Sequence, residues 1–239
     1  MTGSASLEEH PAGAIRSGLG VVGGQGELLD RPTTAQRVAD VLRERIVRGE
    51  LRSGTQFGEQ QLTAALGVSR NTLREAFQIL IGERLLVREP HRGVFVRRLD
   101  ATDVRDIYNV RRLVECAALA RPAEPRGLVE MRAAVRQGRS AARRHDWYDV
   151  GTADVRFHVA VTALGGSGRL DRVMRALFAE LRLAFQLVPD SHVLRKPFLP
   201  RNAEILDLAE RCDYAQASER LRTYLDEAEA VIVAAVDGD

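Results

Sequence analysis

The stretch VSRNTLRE, at residues 68–75, carries side chains whose types suit hydrogen bonding to the edges of DNA bases. An arginine can donate two hydrogen bonds to guanine, and an asparagine amide can pair with adenine in a similar two-point manner. In a helix, which turns by about 100° per residue, four polar side chains share one face and Arg70 borders its N-terminal edge. The four are Asn71, Arg74, Glu75 and Gln78. This arrangement predicts contact with the major groove of double-stranded DNA.

The opposite face of the same helix is apolar, with Leu73, Ala76, Phe77 and Leu80 in one row. Ser69 can cap the first turn because its hydroxyl accepts a free backbone amide, and the helix N-terminus adds a positive field that suits phosphate. A solvated amphipathic helix with ordinary surface charge would show the same two faces. The neighbouring elements must therefore decide between these two interpretations.

The segments around this helix predict a winged helix-turn-helix. Residues 57–74 indicate two short helices joined at Gly67, where a left-handed backbone favours glycine. Residues 85–97, LLVREPHRGVFVR, predict a β-hairpin around a Pro-His-Arg-Gly turn. An earlier helix, capped by Thr33 or Thr34, is expected to bury one apolar row. That row consists of Val38, Val41, Leu42 and Ile46.

The charge of the chain is concentrated on this part. Residues 33–99 contain twelve arginines against seven acidic residues, a net charge of +5. Residues 1–32 carry −2 and residues 100–239 carry −1. Positive charge on the segment that is predicted to bind DNA is what phosphate neutralisation requires. Residues 1–32 are rich in glycine and serine and lack the pattern of a signal peptide, so they are expected to form a disordered tail.

Composition excludes several other classes of protein. No apolar run approaches the ~20 residues of a membrane span, and Cys116 and Cys212 show no metal-ligand spacing, so a cytoplasmic protein is expected. An enzyme would have to use groups such as Asp154, His158 and Tyr224. Nothing beyond residue type supports that, since nucleophile elbow, phosphate loop and His-Glu metal motifs are missing from the sequence.

After an expected linker at residues 99–102, the sequence predicts only helices. Apolar residues recur at helical spacing in six stretches, and proline, glycine or a polar turn separates each stretch from the next. The expected ranges are 103–120, 125–144, 146–164, 169–188, 197–212 and 214–236. The predicted fold is therefore mainly α, with a winged helix-turn-helix at residues 33–98 and an all-α bundle of about six helices at residues 103–236.

Residues 68–96 resemble the winged helix of the GntR family of bacterial transcription regulators. The shared motifs are Val68-Ser69-Arg70, Arg74-Glu75-Ala76 and Gly93 at the wing turn. The resemblance implies that the recognition helix contacts bases and phosphates and that the wing tip enters the minor groove. The expected DNA-binding set is Ser69, Arg70, Asn71, Thr72, Arg74, His91, Arg92 and Gly93. Two departures are Ser53-Gly54 in place of Pro-Gly, and Gln60 where many relatives carry arginine.

Three segments of the helical part are similar to the FCD effector domain of the FadR subfamily. They are VRDIYNVRRLVECAALA from residue 104, ADVRFHVAV from residue 153, and NAEILDLAERCDYAQASERLRTYL from residue 202. Many relatives complete a metal site there with two histidines, and the aligned positions in this chain are Asn202 and Tyr224. An amide and a phenol are poor ligands for zinc or nickel. No cofactor is therefore expected, and Asp154 and His158 remain weak metal candidates.

The resemblance implies a pocket lined by Arg111, Asp154, His158, Asn202 and Tyr224. Such a set suits a small anionic or hydroxylated effector that binds directly. Two alternatives stay open: Asp154 and His158 could form a local hydrogen-bonded pair, which we favour over a metal site, and Arg111 could pair with Glu115, four residues on.

The resulting hypothesis is a sequence-specific transcription regulator that binds an inverted-repeat operator as a homodimer. The helical domain is expected to dimerise and to take an effector that relieves repression. In the alternative hypothesis the helical domain only dimerises, without effector or metal.

Overall fold

The computed structural model describes residues 32–122, 125–188 and 196–238. The expected disordered tail lies outside the described residues, apart from Pro32. The N-terminal domain consists of three helices and a three-stranded sheet. The helices are α1 (Thr34–Val47), α2 (Glu59–Leu66) and α3 (Arg70–Gly82), and the strands are β1 (Gln56–Phe57), β2 (Leu86–Glu89) and β3 (Gly93–Val96).

Helix α1 begins where the sequence predicts, at a capping box. The Thr33 hydroxyl accepts the amide of Gln36, and the Gln36 side chain accepts the amide of Thr33. Its buried row contains Ala35, Val38, Ala39, Leu42 and Ile46. Val41, which the sequence pattern places in that row, is 41% exposed because it lies at the flank of the helix.

The sheet has the order β1-β3-β2, and both pairs of neighbouring strands are antiparallel. The β2–β3 hairpin confirms the predicted wing. Strand β1 is not predicted by the sequence, which places Phe57 at the start of a helical stretch. Phe57 instead pairs with Val94, and its buried ring lies 5.4 Å from that of Phe77. This contact ties the sheet to α3.

The turn between α2 and α3 has the predicted geometry. Gly67 ends α2 in a left-handed conformation, with φ 64° and ψ 33°. An L side chain rarely adopts this conformation, so glycine is the residue of lowest strain there. Helix α3 then packs its apolar row against α1. The core of the domain therefore fixes which side of α3 remains outside.

The C-terminal domain contains six longer helices within the described residues, as the sequence predicts. They are α4 (Ala101–Arg111), α5 (Pro125–Arg143), α6 (Trp147–Ala163), α7 (Gly168–Phe185), α8 (Phe198–Glu210) and α9 (Tyr214–Asp237). A π-helical turn (Arg112–Cys116) and a short helical turn (Ala117–Leu119) continue α4. Helix α6 is central, since it contacts α5, α7, α8 and the π-helical turn.

The expected linker at residues 99–102 is shorter in the structure. Asp100 caps α4 in a capping box with Asp103, so the helix begins at Ala101 rather than Asp103. Leu99 is buried in the hydrophobic core. The two domains are thus joined almost without free chain. No helix in the described ranges is long and apolar enough to cross a membrane.

Candidate nucleic-acid interface and effector pocket

Helix α3 exposes the polar face that the sequence predicts. Its N-cap Ser69 accepts the Thr72 amide at 3.1 Å, and the two hydroxyl oxygens lie 2.9 Å apart. Leu73, Ala76, Phe77 and Leu80 are fully buried. The exposed side chains are Arg70, Asn71, Arg74, Glu75 and Gln78. The N-terminal half of the helix therefore presents donors that can reach base edges or phosphates.

Two side chains of this face have acidic neighbours. Arg74 Nη2 lies 3.1 Å from Glu59 Oε2 at the start of α2, and Asn71 Nδ2 donates to Glu75 Oε1 at 2.7 Å. The Arg70 side chain makes no hydrogen bond or ion pair with the residues that the structure describes. An exposed ion pair contributes roughly 0–1 kcal/mol, so a phosphate or a base can replace these acidic partners.

The wing tip is held in one conformation by local contacts. His91 has a positive φ of 60° and Gly93 one of 105°. Gln56 Nε2 of β1 donates to the Arg92 carbonyl at 2.5 Å. The Arg92 guanidinium pairs with Glu89 and lies 5.2 Å from the centre of the Phe95 ring. The tip thus displays exposed His91 and Arg92 side chains on a braced turn.

The helical domain contains a partly open cavity. Four of the five side chains expected in an effector pocket line it: Arg111, Asp154, Asn202 and Tyr224. The rest of the wall is largely apolar and includes Phe185, Phe198 and Ile232. His158, the fifth, is buried behind this wall, with its ring centre 4.9 Å from that of Tyr224.

A buried chain of charged groups orients His158. Arg111 Nε donates to Glu115 Oε1 at 2.7 Å, and His158 Nδ1 lies 2.6 Å from Glu115 Oε2. Burial tends to raise the pKa of Glu115, but electrostatic attraction to Arg111 and His158 and the hydrogen bonds from both side chains together hold it below its ordinary value. The carboxylate is therefore ionised, and His158 Nδ1 carries the hydrogen. Arg111 both pairs with Glu115 and borders the cavity.

The Asp154 carboxylate is bonded to two other helices rather than to His158. Its Oδ1 accepts from Asn202 Nδ2 at 2.7 Å and from the Tyr224 hydroxyl at 2.9 Å. His158 Nε2 is 3.8 Å from the same oxygen, beyond hydrogen-bond distance. The expected hydrogen bond between Asp154 and His158 is therefore not formed, since the carboxylate bonds Asn202 and Tyr224 instead, although the two groups stay within ion-pair distance. Burial and the Asp154 charge raise the pKa of Tyr224, so its phenol stays neutral and donates.

Comparison with known families identifies both domains. Residues 34–96 match the model for bacterial regulatory proteins of the gntR family, and residues 106–227, more than half of the chain, match the FCD domain. The chain belongs to the GntR family of bacterial regulatory proteins. It is a DNA-binding transcriptional regulator, and the relatives below are regulators rather than enzymes.

Three relatives show how far the similarity extends. An uncharacterized HTH-type transcriptional regulator in an unstable DNA locus of Streptomyces ambofaciens is 32% identical over 188 residues, 77% of this chain and 78% of that protein. The gluconate operon transcriptional repressor of Bacillus licheniformis is 40% identical over 87 residues, 36% of this chain and 35% of the repressor. The crystal structure of a GntR transcriptional regulator from Rhodococcus sp. RHA1 is 42% identical, with a TM-score of 0.80 over 84% of this chain and 97% of that one.

The residues of this GntR chain do not fit the metal site that an FCD domain can hold. Asp154 and His158 lie on one face of α6, but Asn202 and Tyr224 already donate hydrogen bonds to Oδ1 of the Asp154 carboxylate. In the described part of the chain no three His, Cys, Asp or Glu side chains group as metal ligands. Two strong ligands are too few for the tetrahedral or octahedral shell of zinc or nickel.

Contacts between the two domains were not found by sequence reasoning. Arg97, just after β3, pairs with Glu180 of α7 and with Asp103 of α4 at 2.6 Å. Gln186, just after α7, donates from Nε2 to the Ile46 carbonyl of α1 at 2.6 Å. These partners are separated by up to 140 residues in the sequence, so no local sequence pattern predicts that they are in contact. Helix α7 therefore touches both the winged domain and, through Phe185, the cavity.

Proposed function

We propose that this GntR protein is a repressor that binds an inverted-repeat operator as a homodimer and releases it when a small organic effector occupies the helical cavity. The observation that carries the proposal is the position of α7. Its last residue, Phe185, lines the cavity, and the next residue bonds the winged domain. Such a role belongs in the bacterial cytoplasm, beside the chromosome.

DNA recognition is assigned to two surfaces of the winged domain. On α3, Ser69 and Thr72 position the first turn while Arg70, Asn71 and Arg74 contact bases and phosphates in the major groove. At the wing tip, His91, Arg92 and Gly93 follow the minor groove. The exposure of these side chains and the net charge of +5 over residues 33–99 support the assignment.

We expect a homodimer, formed through the helical domain, because operators of helix-turn-helix proteins are commonly two-fold symmetric. One recognition helix reads only a few base pairs, so two copies related by a two-fold axis are needed for a specific site. Half-sites are then expected one helical turn apart, about 10 base pairs, or a multiple of that.

The proposed switch uses the contacts of α7. An effector that fits the cavity better in one arrangement of the domains shifts the population toward it, by an amount equal to its differential binding. Displacement of Phe185 would act on the Gln186–Ile46 bond and on the Arg97–Glu180–Asp103 cluster. The effector is bound directly, without a metal ion, because Asn202 and Tyr224 hold the Asp154 carboxylate.

The test is selection of binding sites from random DNA with the purified full-length chain, followed by titration of the enriched site. We expect a two-fold symmetric site and a complex of two chains on one duplex. Enrichment of an asymmetric site, or binding of single chains, would refute the dimer and operator parts of the proposal.

A second function is favoured by the closed network around Asp154, which could instead be a structural core. The helical domain would then only dimerise. A thermal-shift screen separates the two, because a ligand that binds only the folded state raises the melting temperature. Ligands that raise the melting temperature and also change operator affinity support the switch. Ligands that raise the melting temperature without changing operator affinity support the simple dimerisation module.

A further inference from the structure

The C-terminal half of α7 contains a buried arginine that has no carboxylate partner among the described residues. Arg182 is 9% exposed, and Arg111 is the one other arginine in the described ranges that is buried to this degree. Arg111 lies 2.7 Å from the Glu115 carboxylate, whereas Arg182 forms no ion pair within the described part of the chain. Burying a cation without a negative partner is costly, so this one calls for an explanation.

The neighbours of the Arg182 guanidinium are uncharged groups on one face of α6. Its Nη2 donates to the Thr152 hydroxyl at 3.1 Å, and its central carbon lies 5.7 Å from the centre of the Tyr148 ring. The Thr152 hydroxyl in turn donates to the Tyr148 carbonyl at 3.2 Å, which fixes its orientation. A guanidinium carries five N–H donors in a planar fork, and these contacts use only part of that fork.

The electrostatic surroundings of Arg182 also leave its charge poorly compensated. Burial lowers the pKa of Arg182 below its ordinary value, and attraction by Tyr148 and by the Asp154 carboxylate does not make up for the lost hydration. Arg156, one turn beyond Thr152 on α6, adds repulsion. An additional negative charge beside the guanidinium would therefore be stabilised.

This position is accessible and lies apart from the effector cavity. Tyr148, at the edge of the cluster, is 36% exposed, and Thr152 is half-buried. The cavity lining includes Gly151 and Phe185 but neither Thr152 nor Arg182. A small ion can therefore approach Arg182 from the surface, past Tyr148.

We propose that Arg182, oriented by Thr152 and Tyr148, anchors a second small-molecule site that takes an oxyanion, namely a carboxylate or phosphate group. Two oxygens of such a group match the spacing of the guanidinium fork, and its charge neutralises the buried cation. The site goes beyond the proposed function, because it lies outside the effector cavity. Glu180 and Gln186, on either side of Arg182 along α7, both contact the winged domain. Occupancy of the site thus acts on the helix that connects the two domains.

The test is thermal unfolding of the full-length chain in inorganic phosphate, acetate or chloride at one pH and one ionic strength. We expect phosphate or acetate to raise the melting temperature more than chloride, because a ligand that binds only the folded state stabilises it. The anion that responds identifies the group. Phosphate also stabilises proteins without binding at a site, so the decisive quantity is the difference between the wild type and Arg182→Gln. In this variant the affinity for the responding anion should fall about tenfold or more.

Control variants separate the site from folding and from exposed arginines. Arg175→Gln changes an exposed arginine of the same helix and should respond like the wild type. If Arg182→Gln does not fold, Thr152→Val serves, since it keeps the shape and the buried charge but removes the hydroxyl that orients the guanidinium. It should bind the responding anion several-fold more weakly. Neither anion exceeding chloride in the wild type, or a full response in Arg182→Gln or Thr152→Val, overturns the inference.

Operator binding by the same samples distinguishes this inference from the proposed function. A wild-type chain that binds no specific DNA refutes the proposed function but leaves the anion measurements unaffected. At fixed ionic strength the responding anion should change operator affinity more in the wild type than in Arg182→Gln. Equal changes in both proteins would refute the action of the site through α7.

Discussion

At the scale of single residues, Arg74 is the side chain whose surroundings say most about DNA recognition. It is more than half exposed, yet its guanidinium lies 3.1 Å from Glu59 across the helix-turn-helix. Asn71 is similarly engaged by Glu75. Such contacts keep long side chains oriented, and they must be exchanged for phosphates or bases when DNA binds. Glu59 is thus a local competitor of DNA for the same arginine.

Glu59→Gln should therefore tighten DNA binding by a few-fold. The change removes a negative charge beside the phosphates and frees Arg74, and exposed charge pairs contribute roughly 0–1 kcal/mol. Fluorescence anisotropy on a selected site measures the effect, with Glu50→Gln as the control, because Glu50 pairs with Arg45 away from α3. A Glu59→Gln variant that binds no better than the control would show that Glu59 does not restrain Arg74.

Glu115 is the residue on which the buried charges of the cavity depend. Burial opposes its ionisation, but Arg111 and His158 lower its pKa overall. A carboxyl with a lowered pKa in the folded state stabilises the fold above its ordinary value, about 4.3, and this stabilisation is lost as the pH falls through the lowered value.

Glu115→Gln should lower the free energy of unfolding at neutral pH by about 3–5 kcal/mol, because it leaves the buried Arg111 charge without a partner. Its stability should also change less than that of the wild type when the pH drops below about 4. Urea unfolding at both pH values tests this, with exposed Glu219→Gln as the control. A Glu115→Gln variant as stable as the wild type at neutral pH would contradict the ion-pair account.

At the scale of elements, α7 is the part that connects the two domains. Phe178, in the middle of α7, packs against Arg111 and His158. The C-terminal end of the helix borders the cavity. Glu180 and Gln186 contact the winged domain through an ion pair and a hydrogen bond. Gln186 also donates to the Ile46 carbonyl near the end of α1, an oxygen that accepts the Gly49 amide as well. A ligand that displaces α7 would therefore change the contacts of Glu180 and Gln186 with the winged domain.

Gln186→Ala should leave ligand binding intact but reduce the change in operator affinity that the ligand produces. The reason is that the variant removes one interdomain hydrogen bond and leaves the cavity wall in place. Paired titrations of ligand and operator measure the coupling directly. Unchanged coupling in the Gln186→Ala variant would mean that the signal passes elsewhere.

The elements were more predictable from sequence than their mutual contacts. The apolar row of α3 repeats at helical spacing, so the periodicity alone identified its buried and exposed faces. The sequence does not predict strand β1, because two residues are too few to show a periodic pattern. Phe57 is extended because it pairs with Val94 of the wing, 37 residues later in the chain. Arg97 and Glu180 were missed for the same reason, since their pairing depends on how the domains dock.

The cavity was partly predictable. The FCD resemblance placed Arg111, Asp154, Asn202 and Tyr224 at positions that do line one cavity. It could not choose partners among them, because hydrogen bonding depends on distances of a few tenths of an ångström. His158 is one helical turn from Asp154 but pairs with Glu115, 43 residues away, since Glu115 lies closer in space.

At the scale of the whole molecule, the chain combines a DNA-binding winged domain with a cavity that has no complete set of metal ligands within the described residues. We predict that purified protein carries much less than one zinc or nickel ion per chain. Asn202→His combined with Tyr224→His should raise that occupancy toward one, because it adds two imidazoles beside Asp154 and His158. Elemental analysis of both proteins is the measurement, and near-stoichiometric metal in the unaltered chain would contradict the account.

The most direct test of the central claim, that α3 reads DNA through its exposed arginines, is the affinity of Arg74→Ala for a selected site and for random DNA over a range of salt concentrations. We predict that Arg74→Ala loses about 1–3 kcal/mol of binding free energy on the selected site and less on random DNA. The affinity of both the wild type and the variant should fall steeply as the salt concentration rises. An Arg45→Ala control should keep full specificity. Equal losses on both DNAs would reduce Arg74 to a phosphate contact, and a flat salt response with unchanged affinity would contradict the claim.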